Sequence, residues 1–143
     1  MTVKTIALRF GESFSPECGT IAAHQLIIDK LGYVWYGKMG RPVATHIIDE
    51  INKQRDIKIL LINSGKANRY WAHVVEISRK TPELEGIPTY YRKVSDKFKT
   101  WFKFIEFEPA PKDVMSKCKV VSSGSQLGTV SKHSMSPYFI IEY

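Results

Sequence analysis

The chain has 143 residues, 43% of them hydrophobic, enough for one domain around one buried core. Lysine plus arginine outnumber aspartate plus glutamate by 21 to 14, a formal charge of +7, so polyanionic partners such as nucleic acid are favoured and cationic ones are not. Nowhere do roughly 18 apolar residues run together, and Cys18 and Cys118 form no CxxC pair; a membrane span and a disulfide framework are excluded, and a cytoplasmic protein with reduced thiols is expected.

VKTIALRF alternates, with Ile6, Leu8 and Phe10 on one side and Thr5, Ala7 and Arg9 on the other, and predicts a first strand. GTIAAHQLIIDKLG predicts a helix: Thr20 is placed to cap it, His24, Ile27, Ile28 and Leu31 share a face, and Gly32 stops it. YVWYGK reads as a short strand, and a second helix is expected from about Ala44 to Lys53, with Ile47, Ile48 and Ile51 on one face. The apolar run IKILLIN suits a central strand, joined through SGKAN to a partner strand RYWAHVVEIS. After a stretch broken by proline and glycine come WFKFIEFE, KCKVV and YFIIEY, the last two separated by the serine-rich SSGSQLGTVSKHSMSP. Five or six strands with two helices inserted early imply an α+β fold: a curved mixed β-sheet or small β-barrel flanked by two or three helices. No repeat or long linker divides the chain, so residues 1–143 are expected to form a single domain.

The order strand, helix, GYVWYGK, helix, KILLINSGKANRYWAHVVEIS, KFKTWFKFIEF and a final serine-rich loop resembles the PUA-like superfamily, closest to its YTH and EVE branches. The nearest piece is ILLINSGKANRYWAHVVEI, similar to the YTH stretch in which an apolar strand ends in Asn-x-Ser-Gly and runs into an aromatic-bearing strand. The resemblance implies a pocket for one flipped, modified base bordered by a basic groove. It also implies a targeting role like that of domains at the front of modification-dependent, McrB-like restriction proteins, with an effector nuclease or NTPase as domain or subunit. The chain would then be the N-terminal module of a longer protein, binding DNA with a methylated or otherwise modified base and needing no cofactor.

Trp35 matches the first cage tryptophan of YTH domains and lies beside Gly37, although a core tryptophan would fit the same position. Tyr36 alternates with it and must face the other way. Tyr90 and Tyr91, in the basic loop YYRK, stand where YTH domains place a second cage aromatic; no tryptophan sits there, which weakens the case for N6-methyladenine itself. Asn63 and Ser64 carry groups that hydrogen-bond a base edge, yet such residues also build turns. Of Tyr70 and Trp71 one must be core, and His73, on the face of Trp71, reads as a strand histidine.

Phosphate contacts are expected from Lys38, Arg41, Lys66, Arg69 and the small polar loop Ser122, Ser123 and Ser125, with Arg92, Lys93, Lys97 and Lys99 as further nearby cations. SKHSMS is a second small polar loop of that type. An enzyme of the ASCH type, hydrolysing a modified nucleoside or RNA, is the rival reading, and a protein-interaction module is a third. Neither Cys18 with His24, nor Lys38 with Thr45 or Glu76, has a recurring catalytic spacing, and the four histidines lack metal-ligand spacing. The sequence therefore predicts no catalytic and no metal-binding residues.

Overall fold

The computed structural model describes residues 3–10, 19–39, 41–63, 69–134 and 136–143, without the side chains of residues 39, 90, 91 and 94. Among the described residues seven strands follow the chain: β1 (Lys4–Phe10), β2 (Val34–Met39), β3 (Ile57–Asn63), β4 (Arg69–Ser78), β5 (Phe98–Pro109), β6 (Lys119–Val120) and β7 (Tyr138–Glu142). They form one mixed sheet in the order β2-β5-β4-β3-β1-β7-β6, not closed among the described residues. Among the same residues four α-helices accompany them, α1 (Thr20–Leu31), α2 (Thr45–Asn52), α3 (Val114–Lys117) and α4 (Leu127–His133), with 3-10 turns at Leu84–Gly86 and Thr89–Lys97. Two of the helices exceed what the sequence pattern predicts. α3 is a single turn, and α4 hides in the serine-rich segment because only Leu127 and Val130 carry its apolar signal.

Contacts group the residues into two compact units. The first comprises Met1–Phe10, Lys58–Trp71 and Glu108–Tyr143. In it β1 pairs parallel with β3, Ala7 opposite Leu60, and antiparallel with β7, Ile6 opposite Ile140. The alternation expected for β1 does not translate into a wet face: Thr5 and Ala7 are as buried as Ile6 and Leu8. A strand paired on both sides and covered on both faces has no solvent side to alternate toward. Thr5 meets the cost of burying its hydroxyl by donating to the Lys58 carbonyl at 2.7 Å.

Arg9 organises the far end of this unit. Its Nε donates to the Ser136 carbonyl at 2.9 Å, while Nη2 donates to those of Ser131 at 2.6 Å and Ser134 at 2.8 Å. The guanidinium also lies 5.4 Å from the centre of the Phe139 ring. One planar cation thus gathers a carbonyl from the last turn of α4 and two from the residues that follow it, near a helix C-terminus, where positive charge is favoured.

The second unit comprises Gly11–Ile57 and Ala72–Phe107. Thr20 is the first residue of α1 and no side chain caps it, whereas Gly32 ends it as expected at φ 86°, its N–H on the Ile28 carbonyl. In α2, Ile48 and Ile51 are buried, and the Asn52 amide takes both backbone groups of Ile77 as another strand would. Trp101, Phe102 and Phe104 of β5 are fully buried, each contributing about 1.5–3 kcal/mol through apolar burial.

His24 sits on the buried face of α1, its Nδ1–H donating to the Thr20 carbonyl at 2.8 Å and its ring centre 4.8 Å from that of Tyr36. Burial, the larger influence, lowers its pKa from 6.5 to about 4 against the opposing pull of the Thr20 carbonyl.

Two stability measurements check these assignments. Arg9→Met keeps the apolar stem but loses every donor, and urea unfolding is expected to show a loss of about 2–3 kcal/mol, only partly restored in Arg9→Lys; no change would mean the three carbonyls are served equally well by water. For His24, the unfolded chain takes up a proton near pH 6.5 that the folded protein refuses until about pH 4. Its contribution is therefore whole above pH 6.5 and lost as pH falls through that window. Between about pH 7 and pH 4.5 the wild-type protein should lose roughly 2–3 kcal/mol more than His24→Gln. Parallel pH profiles would remove His24 as the cause.

Candidate nucleic-acid interface

β2 determines which of the candidate residues can act together. Its residues alternate between two faces, and its antiparallel register on β5 places Trp35 opposite Lys103, Tyr36 opposite Phe102, Gly37 opposite Trp101 and Lys38 opposite Thr100. On one face Trp35 packs with Ile87, Phe98 and Trp101, and Tyr33 leans against the outside of this cluster. On the other, Tyr36 meets His24 and Phe104.

Trp35 is buried, its ring covered by the segment from Glu83 to Ile87. That cover needs a glycine, since a Cβ on Gly86 would come within 2.9 Å of Trp35 Cδ1 and 3.0 Å of Tyr33 Cε2. The segment is held at both ends: the Tyr33 hydroxyl donates to Glu83 Oε1 at 2.6 Å, and Arg92 Nε donates to the Ile87 carbonyl at 2.7 Å. Over the outer rings lies Lys103, its Nζ 4.5 Å from the centre of Tyr33 and 5.7 Å from that of Trp35. These distances fall within the range of cation–π attraction.

The local electrostatics follow from these contacts. The Tyr33 hydroxyl, first of all, holds the Glu83 carboxyl below its ordinary range, helped by a backbone N–H of Glu83 itself and more weakly by Lys103 and the Trp35 indole. The same bond pushes the Tyr33 hydroxyl up to about 12. Glu83 is thus an ionised acceptor and Tyr33 a neutral donor.

Lys38 lies on the face of Tyr36, away from Trp35, and is buried. Its ammonium donates to the Arg41 carbonyl, and burial, followed by the Arg41 charge, lowers its pKa. Nearby, the Val43 N–H donates to Thr100 Oγ1 at 3.1 Å, and the Val43 carbonyl accepts from the Arg79 guanidinium. Arg41 itself is exposed on the segment these bonds hold.

In the other unit, Asn63 closes β3, nearly buried and opposite Phe10. Ser122, Ser123 and Ser125 are exposed on a tight turn with Gly124 at φ 72°; the Gly124 N–H donates to the Val120 carbonyl and the Ser125 N–H to Ser123 Oγ. Arg69 begins β4, and its carbonyl accepts from the Ala110 N–H. In SKHSMS the carbonyls of Ser131, Ser134 and Ser136 converge on Arg9. Ser64, Lys66 and Cys18 lie outside the described residues, as do the side chains of Tyr90 and Tyr91, whose backbone forms part of the second 3-10 turn.

Two further assignments concern ordinary structural residues. Trp71 is core, with the Lys58 ammonium 4.5 Å from the centre of its ring, and His73 lies 3.8 Å from the Glu106 carboxylate. Cys118 is a buried thiol pushed up to about 11 by burial, the opposite of an activated nucleophile.

Sequence reasoning missed Tyr33, Glu83, Gly86 and Lys103. Tyr33 was within reach, since it precedes Trp35 by two residues and shares its face; Lys103 needed the β2–β5 register, which the sequence does not print.

Among the described residues no helix is long and apolar enough to cross a membrane. No curated protein and no solved structure matches the chain significantly. A Pua-like family model, however, matches residues 6–137. The chain therefore belongs to the Pua-like family, whose domains commonly bind nucleic acids.

Proposed function

We propose that the protein is a non-catalytic cytoplasmic module that reads a flipped, modified base in DNA, akin to the YTH and EVE branches of its family. It would work as a single domain that targets a modification-dependent restriction or defence system and its effector nuclease or NTPase. The observation that carries this reading is the aromatic face of β2: Trp35 fixed as a buried support, Tyr33 outside it, and a lysine ammonium over both rings.

Energetics decide how such a site has to work. Removing a base from a duplex costs a few kcal/mol, and one aromatic platform returns about 1–3 kcal/mol per base. Stacking alone therefore breaks roughly even, and net affinity must come from phosphate contacts and from hydrogen bonds specific to the base. Arg41, presented on a braced segment, suits the first task; Tyr90, Tyr91, Asn63 and Ser64 remain candidates for the second, and Lys66, Arg69 and the serine turn for further phosphates. A modified base also lowers the cost of extrusion where it weakens pairing, which favours recognition of modified over ordinary DNA.

Binding should be measured by fluorescence anisotropy on matched single- and double-stranded oligonucleotides, unmodified or carrying N6-methyladenine, 5-methylcytosine or 5-hydroxymethylcytosine, at several salt concentrations. The expected result is a preference of tenfold or so for one modification, greatly reduced in Trp35→Ala and less so in Trp35→Phe, both checked for folding by circular dichroism. Weak binding that ignores modification and disappears uniformly with salt would reduce the protein to a nonspecific cation.

A further inference from the structure

Within the base-reading function proposed above, the structure assigns the ligand-facing end of the site to three residues, Tyr33, Lys103 and Glu83. We infer that a nucleotide stacks its base on Tyr33, hands its phosphate to Lys103, and turns an exocyclic amino group toward Glu83.

Trp35 and Tyr33 differ in accessibility. Trp35 is buried beneath Gly86 and Ile87 and offers no free face. Tyr33 is only half-buried, and Glu83 is exposed beside it. Tyr33 shares the Trp35 face of the strand and packs against the same cluster. It is therefore the accessible aromatic of this face among the residues whose side chains are described, with Trp35 as the support behind it.

Lys103 is the cation of that face. The pairing of β2 with β5 puts it directly opposite Trp35, and its flexible stem brings Nζ to 4.5 Å from the Tyr33 ring centre. Lys38 serves differently: it projects from the opposite face and donates to a backbone carbonyl. An ammonium held over an exposed ring by cation–π attraction is worth only about 0.5–1 kcal/mol. A base stacking on the same ring gains more, and the displaced ammonium gains again by pairing with the phosphate that arrives with it. Lys103 is in effect a placeholder that the ligand converts into a contact.

Glu83 supplies selectivity. One carboxylate oxygen, Oε1, accepts the Tyr33 hydroxyl at 2.6 Å, which fixes the carboxylate at the rim of the ring. An ionised carboxylate only accepts hydrogen bonds. It is complementary to the amino groups of adenine, cytosine and guanine, and to the N–H that N6-methyladenine retains. Thymine and uracil present carbonyl oxygens where those bases carry amino groups, and a carboxylate repels them.

The test uses single-stranded oligomers of dA, dC and dT of equal length with the whole chain and four variants: Tyr33→Phe, Tyr33→Ala, Lys103→Met and Glu83→Gln. Affinity is measured by anisotropy over a salt series, and folding by circular dichroism. Tyr33→Ala should lose about tenfold in affinity and Tyr33→Phe, which keeps the ring, distinctly less. Lys103→Met should reduce the slope of log affinity against log salt by about 0.7. Glu83→Gln, whose amide donates as well as accepts, should bring dT closer to dA and dC. If the wild-type protein discriminates modified bases while folded Tyr33→Ala and Lys103→Met behave like it, this assignment is overturned and the base-reading function stands. If the wild-type protein binds no oligomer, the base-reading function fails and the assignment fails with it.

Discussion

Trp101 lies across Gly37, and that contact sets the geometry of everything around β2. A Cβ at position 37 would come within 2.8 Å of Phe98 Cγ and 2.9 Å of Trp101 Cζ3. Only a bare backbone admits an indole at that depth, and the glycine gives up side-chain packing of its own to permit it. With Trp101 seated, Phe98 closes on it edge to face, with ring centres 5.4 Å apart, a preferred aromatic geometry. The pair forms the floor on which Trp35 and Ile87 rest. The accessible ring of Tyr33 is thus supported by a stack of buried side chains rather than by a loop. A recognition surface gains from such support, since little conformational entropy remains to be lost when a ligand arrives.

The same strand separates two kinds of work. One face carries the aromatic cluster and Lys103; the other carries Tyr36 against a neutral, buried His24, and then Lys38. A period of two makes this separation unavoidable. It was legible in the sequence for Trp35 and Tyr36. It was equally legible for Lys38, which follows Tyr36 by two and so lies on the face away from Trp35. What could not be read was anything fixed by register. Lys103 faces Trp35 from 68 positions further along the chain, and no local pattern announces such a pair. β1 misled for a related reason, because its alternating Thr5 and Ala7 look half-exposed until pairing on both edges and cover on both faces bury them. The helix at Leu127–His133 was invisible since two apolar residues among serines and glycines carry no reliable period.

Charge was the sequence's clearest statement, and the structure changes its meaning. The formal excess of +7 suggests a surface of cations waiting for phosphates. Yet Arg9 gathers three carbonyls near the end of α4, Lys38 reaches the Arg41 carbonyl, Arg79 the Val43 carbonyl and Arg92 the Ile87 carbonyl. Each of these cations still contributes to the long-range field that draws a polyanion in. As direct contacts they are largely committed, because turning one outward would leave a backbone oxygen to find another partner.

In the proposed base-reading role, long-range attraction and short-range recognition would therefore fall to different residues. The committed cations brace particular segments, Arg92 the cover over Trp35 and Lys38 with Arg79 the segment bearing Arg41, while Arg41 is exposed and Lys103 rests over the rings of Tyr33 and Trp35. In that role, bracing of this kind would restrict the loss of freedom on binding to a few exposed side chains; the cost of burying an ammonium such as Lys38 already falls on the folding of the protein. A basic composition alone does not show which cations hold the fold; the carbonyls facing Arg9, Lys38, Arg79 and Arg92 show that these four do.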